Sequence, residues 1–489
     1  MRPVVRILLL VSGLAAASAQ AQISKFQHIV VVFQENRTPD NLFYRLCLNS
    51  SCSTAPNAHQ YNIQLSNWLD KTSTTGVRQP VALPLANGYG LNHNHDAWKS
   101  QCHLNNALIP AQCRMDGAAA TSKNHGSFAF VENTVDSTHP NGILSPYLML
   151  ATQYGWANYM FQTNQGPSYP AHQFIFGGTS ALSAADDQLG IFIAENLNNS
   201  DTAGCYAKDG GYTELIDSSG KETRYTVDYA SGTTLCVTRN TMATLLDSAG
   251  FSWKYYAAKT GGANRGGSIW TAPNTIESIC VPDVNHENCT GTEWANHVDL
   301  VPSNVFKDLG TGGPCNLAAV SWVTPTGANS DHAGASSGGP DWVASIVNAI
   351  GESRCTNPDG SSYWNTTAIV ITWDDWGGWY DHVPPALLGF PEGGYQMGFR
   401  VPLIFVSAYT PVGYIDNTPG DFGTILRFIE SNFGLGEGGL GFADARATTN
   451  LSQFYDLRIT PRKFQPVPSS KTPLDFVNDR TPPTDPDDD

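Results

Sequence analysis

The stretch "HIVVVFQENRTPDNLF", His28 to Phe43, predicts a buried strand that ends in polar residues. Its first six residues are mostly apolar and β-branched, which is typical of a strand buried on both faces of a parallel sheet. The run ends in Glu35-Asn36, so a carboxylate and an amide directly follow the carboxyl end of the strand. In open α/β sheets ligands bind at that edge. Taken alone, such a pair is more often a turn or a helix cap.

Further apolar runs repeat the pattern of the first strand. Buried parallel strands are predicted at "LAAVSWV" (317–323), "AIVITW" (368–373) and "VPLIFVS" (401–407), with another strand at "SWKYYA" (252–257). Helical patterns lie among them at "SPYLMLATQYG" (145–155), Thr241 to Ser248, Trp342 to Ser353 and Gly423 to Gly434. Strands that alternate with helices predict an α/β fold, a three-layer sandwich with a mainly parallel central sheet.

Both ends of the chain have a composition unlike the middle. The start "MRPVVRILLLVSGLAAASAQ" combines early arginines, a short apolar run and small residues, which predicts a signal peptide over residues 1–21 rather than a membrane anchor. The end "RTPPTDPDDD" is rich in Pro and Asp, and residues 463–489 are expected to be a disordered tail. Residues 22–462 then form one catalytic domain, and the protein is expected to be secreted or periplasmic.

Charge and cysteines fit an exported protein. The formal net charge of −16 argues against nucleic acid as a partner, because phosphate backbones require a basic surface. The ten cysteines fit an oxidising compartment, and no C-x-x-C motif is present. They fall into near pairs, which makes disulfides between sequence neighbours the simplest expectation while leaving the connectivity open: Cys47 and Cys52, Cys102 and Cys113, Cys205 and Cys236, Cys280 and Cys289, Cys315 and Cys355. Most lie in long polar segments, read as disulfide-stapled loop insertions over the sheet.

Two more segments share the chemistry of Glu35-Asn36. In "ITWDDWGGWYDH" (371–382) an apolar strand ends in Asp374-Asp375 before a Gly-Gly turn. A set of Glu, Asn and two Asp offers only oxygen ligands, which suits a hard divalent cation.

The third segment supplies a hydroxyl group. In "NQGPSYPAHQFIFGGTS" (164–180), Ser168 opens a predicted helix with Pro170 in its first turn. Ser168 alone is more often a helix cap. Beside a cation and at a helix N-terminus, which favours phosphate, it becomes a nucleophile for a phosphate ester. The hypothesis depends on these three segments meeting in space.

These motifs, together with "VSWVTP", "SDH" and "RVPLIFVS", resemble the bacterial phosphoesterase family of phospholipases C and acid phosphatases, from about residue 26 to residue 457. The resemblance implies an alkaline-phosphatase-like fold and one divalent metal cation, Mg, Ca, Mn or Zn. It implies these metal ligands: Glu35, Asn36, Ser168, Asp374 and Asp375. It also implies histidines that contact phosphate or protonate the leaving group, matched at His95, His297 and His332. His382, in "YDHV", is interpreted as holding its loop.

The resemblance implies a secreted metal-dependent phosphoesterase that works through a phosphoserine intermediate. Ser168 and the Asp374-Asp375 pair match the acid phosphatase branch, since the phospholipase branch usually carries Thr and Asp-Glu. One alternative is a phospholipase C acting on phospholipid head groups. A second is an inactive exported binding protein on the same fold, against which the intact residue set argues. A sulfatase is disfavoured because "SYPAH" lacks the Arg of the C/S-x-P-x-R signature. The oligomeric state stays open.

Overall fold

The structure is a computed structural model that describes residues 24–54, 60–108, 111–199, 202–259, 266–334, 337–387 and 394–483. The predicted signal peptide lies outside the described residues. The strands are, in chain order, β1 (His28–Gln34), β2 (Trp68–Leu69), β3 (Val77–Arg78), β4 (Val81–Leu83), β5 (Leu104–Asn105), β6 (Gln112–Cys113), β7 (Ala129–Val131), β8 (Gly155–Ala157), β9 (Phe192–Ile193), β10 (Tyr212–Ile216), β11 (Glu222–Thr226), β12 (Trp253–Tyr256), β13 (Val281–Pro282), β14 (Cys289–Thr290), β15 (Val298–Asp299), β16 (Val320–Val323), β17 (Thr367–Trp373), β18 (Leu403–Ser407) and β19 (Tyr414–Asp416).

The helices alternate with these strands. The α-helices are α1 (Pro39–Leu42), α2 (Leu46–Asn49), α3 (His95–Cys102), α4 (Ser145–Gln153), α5 (Ser168–Gly177), α6 (Ala184–Leu189), α7 (Met242–Ala249), α8 (Thr292–His297), α9 (Asn304–Asp308), α10 (Gly339–Gly351), α11 (Tyr363–Thr366), α12 (Phe422–Phe433), α13 (Ala443–Arg446) and α14 (Pro473–Asn478). Short 3₁₀ segments lie at Ala118–Thr121, Lys123–His125, Gly204–Tyr206, Ala272–Thr275, Gly327–Asn329 and Ser452–Phe454. Within the described residues, no helix has the length and apolar character needed to cross a membrane.

An eight-stranded sheet forms the centre, in the order β15-β12-β16-β1-β17-β18-β8-β19. Strands β12, β16, β1 and β17 are parallel neighbours, and every residue of β1, β16 and β17 is buried, as their continuous apolar runs predicted. The expected mainly parallel sheet is therefore confirmed. The prediction that "VPLIFVS" is a parallel strand is wrong, because β18 pairs antiparallel with both β17 and β8. A continuous apolar run reports burial on both faces, which an antiparallel strand shares when helices cover both sides.

Helices cover both faces of the sheet. Phe33 of β1 contacts the ring of His172 in α5, whereas Trp373 of β17 contacts Tyr147 of α4. On the first side α5 contacts both α7 and α12, and on the second side α10 contacts both α4 and α14. The arrangement is the predicted three-layer sandwich.

The insertions are stapled as the cysteine spacing suggested. All five near pairs form disulfides: Cys47–Cys52, Cys102–Cys113, Cys205–Cys236, Cys280–Cys289 and Cys315–Cys355. One insertion carries a separate three-stranded antiparallel sheet, β9-β10-β11. It lies beside the carboxyl edge of the main sheet through contacts described below.

The start of the expected tail is packed. Phe476 of α14 is buried against Trp342, and the Asn348 side chain of α10 donates to the Val467 carbonyl. Residues 463–483 thus add to the layer that contains α10, in contrast to the expectation from their composition. Residues 484–489 lie outside the described residues.

Candidate active site

The carboxyl ends of β1 and β17 bring two of the predicted motifs together. Gln34 and Trp373 are partners in the parallel register, and the Asp374 N–H donates to the Gln34 carbonyl at 3.0 Å. One residue further on, the Asn36 N–H donates to Oδ1 of Asp374 at 3.0 Å. Both acidic motifs therefore continue the strand pairing past the end of the sheet, which places them side by side.

The backbone at this point is constrained. Asn36 has a φ of 60°, in the left-handed region that non-glycine residues adopt infrequently and often at functional sites. Gly377 approaches it so closely that an added Cβ would lie 2.4 Å from the Asn36 carbonyl oxygen. The Gly-Gly turn after Asp374-Asp375 is thus the space into which the Asn36 turn fits.

Ser168 is the first residue of α5 and is fully buried. Pro167 is the N-cap, and the cap makes no side-chain hydrogen bond, so the Ser168 hydroxyl is not used for capping. It donates instead to Oδ2 of Asp375 at 3.3 Å. The third motif therefore meets the first two, with its hydroxyl at the positive end of a helix dipole.

His172 joins the same cluster. It lies four residues after Ser168, so the two side chains share one face of α5. Its Nε2 is 3.3 Å from Oε1 of Glu35 and 3.9 Å from Oδ2 of Asp374. The imidazole, the serine and the carboxylates form one buried group.

The donor set fits a divalent cation. Three carboxylates, those of Glu35, Asp374 and Asp375, are fully buried together, and a buried charge is costly unless a counter-charge accompanies it. The ligand atoms of Glu35, His172 and Asp374 all lie within 4.8 Å of one another. Oδ1 of Asn36 is buried and receives no hydrogen bond within the described part of the chain. An oxygen-rich group with an acceptor to spare has the chemistry of a metal site.

The nearest guanidinium in the sequence is directed elsewhere. Arg37 is fully buried and donates to the carbonyl oxygens of Asp331 and Leu85 at 2.8 and 3.1 Å.

Burial raises the pKa of Asp374, but hydrogen bonding with Glu35 and the charge of His172 outweigh it and leave the pKa below its usual value. The carboxyl group thus keeps the ionised form that a metal ligand needs.

A cleft of about 430 Å³ opens beside Ser168 and is lined by Pro167, His93, Glu195 and His332 among others. His332, a predicted site residue, is buried, and its ring lies 6.2 Å from that of Trp270, which also stacks on His172. Nε2 of His93 is 3.4 Å from Nδ2 of Asn36. The cleft therefore gives a substrate access to imidazoles close to the carboxylate cluster.

Glu195 is a cleft residue whose carboxyl group has a raised pKa. Burial, reinforced by the charges of nearby carboxylates including Glu222, raises the pKa of Glu195 to about 8. Its Oε1 accepts the backbone N–H of His95 at 2.8 Å. At neutral pH Glu195 is therefore mostly a neutral acid.

His95 lies at this side of the site, whereas His297 does not. His95 is fully buried at the start of α3 and lines a small cavity with Asn164, Gln165 and Gly166, the residues that lead to Ser168. His297 stacks on Trp253, the first residue of β12, at 4.3 Å between ring centroids. Because β12 runs parallel to β1, that position is the amino edge of the sheet. The structure does not bring His297 to the cluster at the carboxyl edge.

Three residues of the site were missed from the sequence: His172, His93 and Glu195. His172 carried a usable signal, since its spacing of four from Ser168 predicts a shared helix face. His93 and Glu195 lie in irregular segments that have no periodicity, so only the folded chain shows their position.

Comparison with known proteins assigns the chain to a family. The family model for the Phosphoesterase family matches residues 26–436, and the chain belongs to that family. Hemolytic phospholipase C of Pseudomonas aeruginosa is 22% identical over 89% of this chain and 56% of its own length. Non-hemolytic phospholipase C of Burkholderia pseudomallei is 26% identical over 38% of this chain and 31% of its own length. The matches thus span from about a third to just over half of these relatives.

Solved structures show a weaker likeness. A protein in the alkaline phosphatase superfamily from Vibrio parahaemolyticus superposes with a TM-score of 0.30 and 11% identity, over 59% of this chain and 60% of that one. Phosphonate monoester hydrolase from Silicibacter pomeroyi gives a TM-score of 0.30 and 10% identity, over 59% of this chain and 68% of that one.

Proposed function

We propose that the protein is a secreted, metal-dependent phosphoesterase that hydrolyses phosphate esters through a phosphoserine intermediate, with a preference for phosphomonoesters. One observation carries the proposal: the Ser168 hydroxyl is 3.3 Å from Asp375 at the N-terminus of α5, inside the cluster that contains Glu35 and Asp374. Membership of the Phosphoesterase family supports the reaction class, and five disulfides support export.

The metal ligands in this proposal are Glu35, Asn36, Ser168, Asp374 and Asp375, with His172 as a further neighbour. A divalent cation held there supplies positive charge that stabilises the serine alkoxide and the charge of the phosphoryl group. The proposal leaves the choice among Mg, Ca, Mn and Zn to metal analysis.

The residues of the chain perform the remaining steps. Asp375 accepts the hydrogen bond of the Ser168 hydroxyl and orients its oxygen toward the cleft. Ser168 passes its hydroxyl proton to Asp375 as its oxygen bonds to phosphorus, the ester bond to the alcohol breaks, and His95 or His332 gives a proton to the departing oxygen. The same histidine then takes a proton from water, whose oxygen attacks phosphorus. The bond from phosphorus to Ser168 breaks, phosphate leaves, and the serine oxygen recovers the proton from Asp375. The buried helix N-terminus favours the anionic group throughout.

The test compares Ser168→Ala with the wild type on a chromogenic phosphate monoester, with each of the four metals added after chelation. The variant is expected to lose at least about 10⁴-fold in kcat, as nucleophile removal does elsewhere, while keeping bound metal. His297→Ala is the matched control and is expected to keep wild-type turnover, because it lies at the other edge of the sheet. An active Ser168→Ala protein contradicts the nucleophile, and an active metal-free wild type contradicts the metal. Absence of wild-type turnover with every metal and pH favours the inactive binding protein.

A second candidate is a phospholipase C. The curated relatives above carry that name, and the carboxyl edge of the sheet holds another cavity of about 540 Å³. Its lining is largely apolar and includes Tyr159, Phe161, Pro385 and Leu387. An apolar cavity at the same edge of the sheet is suited to the hydrocarbon part of a lipid.

Phosphatidylcholine vesicles and a soluble monoester, assayed side by side, separate the two candidates. A kcat/KM for the lipid above that for the monoester favours the phospholipase. Ala386→Asp then serves as a probe, because Ala386 is an exposed residue of the lining and a charge there is expected to reduce lipid hydrolysis alone.

A further inference from the structure

His95 is held by two carboxyl groups that come from the inserted antiparallel sheet. Glu222, the first residue of β11, contacts Nδ1 of His95 through its Oε1. Glu195 follows β9 and accepts the backbone N–H of the same histidine at 2.8 Å. One insertion thus fixes both the ring and the backbone of His95.

The contact with Glu222 keeps a proton on Nδ1 of His95 in both the neutral and the imidazolium form of the ring. A carboxylate accepts hydrogen bonds, so Nδ1 of His95 donates to it and the other nitrogen is left for chemistry. The hydrogen bond from His95 is the main reason that the pKa of Glu222 is lowered, and Lys99 adds a positive charge 3.5 Å away. Glu222 therefore stays ionised as an acceptor.

The other ring nitrogen is free for chemistry. Nε2 of His95 is buried and has no hydrogen-bond partner among the described residues. His95 lines a small cavity together with Asn164, Gln165 and Gly166, the last of which lies two residues before Ser168. Oδ1 of Asn164 and Nε2 of Gln165 are also buried and unpartnered in the described chain. Three unpaired polar atoms around one cavity are costly unless a ligand group or water binds them during turnover.

We propose that Glu222 is a positioning residue for the phosphoesterase reaction, which holds His95 with Nε2 directed toward the oxygen that leaves phosphorus. This inference rests on the proposed function and adds to it a choice between the histidines. In the imidazolium form of His95, the Nδ1 proton remains hydrogen-bonded to Glu222, and the Nε2 proton moves to the oxygen of the leaving group as the P–O bond breaks. Carboxylate–imidazole pairs of this kind fix ring orientation and stabilise the imidazolium form.

The inserted sheet would then supply the acid–base half of the site. The main sheet supplies the nucleophile and metal ligands through β1, β17 and α5. The hairpin of β10 and β11, in which Ile216 pairs with Glu222, supplies the group that directs the proton. Loss of the hairpin contact is therefore expected to affect leaving-group departure more than formation of the bond to Ser168.

The experiment replaces Glu222 by Ala and by Gln and measures kcat and KM with two monoesters. One has an activated aryl leaving group that departs without a proton, and the other has an alkyl leaving group that requires one. Glu222→Ala is expected to lower kcat for the alkyl ester by about 10- to 100-fold, as loss of such supporting partners does, with little change for the aryl ester or in KM. Glu222→Gln keeps an acceptor oxygen and is expected to recover part of the loss.

Glu214→Ala is the matched control, because Glu214 lies on the neighbouring strand and pairs with Arg224 rather than with His95. It is expected to match the wild type with both esters. Equal losses with both esters in Glu222→Ala, or a Glu222→Ala protein identical to Glu214→Ala, would overturn the inference. Thermal melting gives the folded fraction of each variant, and kcat is divided by that fraction when a variant is unstable. If the wild type hydrolyses neither ester, or Ser168→Ala hydrolyses both, the proposed function itself fails.

Discussion

Glu35 and Asp40 come from one short stretch and are both fully buried, yet they enter two acidic clusters of opposite character. Asp40 joins Asp381 around the guanidinium of Arg400, whose Nη2 is 3.4 and 3.0 Å from the two carboxylates. Glu35 joins Asp374 and Asp375 beside the imidazole of His172. The first cluster carries its own permanent cation, and the second offers one imidazole to three carboxylates.

Proximity of acidic groups does not by itself distinguish a structural cluster from a metal site. Asp40, Asp381 and His382 also have ligand atoms within 4.8 Å of one another. Nη1 of Arg400 donates to the carbonyl oxygens of Asn62 and Asn158 at 2.8 and 2.9 Å, Nε donates to Asp381 at 3.1 Å, and His382 bonds Asp40 at 2.7 Å. These hydrogen bonds tie the guanidinium and His382 to the surrounding loops, which is a structural role. This agrees with the reading of His382 as a loop residue.

The largest effect is expected from removal of the Arg400 guanidinium, the internal cation of the first cluster. Arg400→Met leaves Asp40 and Asp381 buried without their guanidinium, and we expect a loss of about 3–5 kcal/mol in the free energy of unfolding. Urea denaturation measures it. Arg458→Met, which removes an exposed arginine paired with Asp456, is the control and should change stability by about 0.5 kcal/mol or less. An Arg400→Met protein as stable as the control would show that the first cluster needs no cation.

The second cluster should respond in the opposite way. In metal-free protein, Asp374→Asn removes one of three crowded carboxylates while keeping the oxygen that accepts the Asn36 N–H, so we expect unchanged or increased stability. A metal at 100 times its Kd should raise the unfolding free energy of the wild type by about 2.7 kcal/mol and that of the variant much less. Asp381→Asn should keep this metal response. A strongly destabilised metal-free Asp374→Asn protein would make the two clusters alike.

A third acidic pair, Glu430 and Asp444, is neutralised in another way, and its replacement should have a smaller effect. Glu430 accepts the N–H groups of Gly438 and Gly439, and burial together with the charge of Asp444 raises the pKa of Glu430 to about 8. A proton therefore compensates this pair, whereas an arginine compensates the first cluster and a metal is proposed for the second. The folded pKa exceeds the unfolded value of about 4.3, so the stabilising contribution is complete below about pH 4 and is lost as the pH rises toward 8.

Glu430→Gln keeps an acceptor and cannot ionise. Relative to the wild type, it should gain stability steadily from about pH 4 to pH 8, as followed by thermal melting. Glu437→Gln is the control, because Glu437 lies in the loop that Glu430 contacts and its bond to Arg427 lowers the pKa of Glu437. It should show no such gain with rising pH. A Glu430→Gln protein that tracks the wild type at every pH would assign the pair a different counter-charge.

Much of the central layer was predictable because local signals and tertiary demands agree there. β1 and β17 are continuous apolar runs in the sequence and buried strands in the structure. Because ligands bind at the carboxyl edge of parallel strands, the sequence also predicts that Glu35, Asn36, Asp374 and Asp375 lie near one another. The cysteine pairs followed from short spacing, although only the structure closed them.

The errors lie where local signals carry no direction or distance. The sequence of β18 reports burial and not strand polarity, so its antiparallel course was missed. His297 resembles a site histidine by motif, but its helix ends at the amino edge of the sheet. The length of a strand separates that edge from the carboxylate cluster, and no local sequence pattern encodes this distance.

The sequence alone predicted an α/β chain with a mainly parallel sheet, an exported location, and a serine and carboxylates at the sheet edge, because burial patterns and short motifs are local properties. The tertiary structure alone decided which charges compensate which: Arg400 reaches Asp40 across 360 residues, His172 reaches Glu35 across 137, and Glu222 reaches His95 across 127. Electrostatic compensation depends on distance in space, and only the folded chain sets that distance.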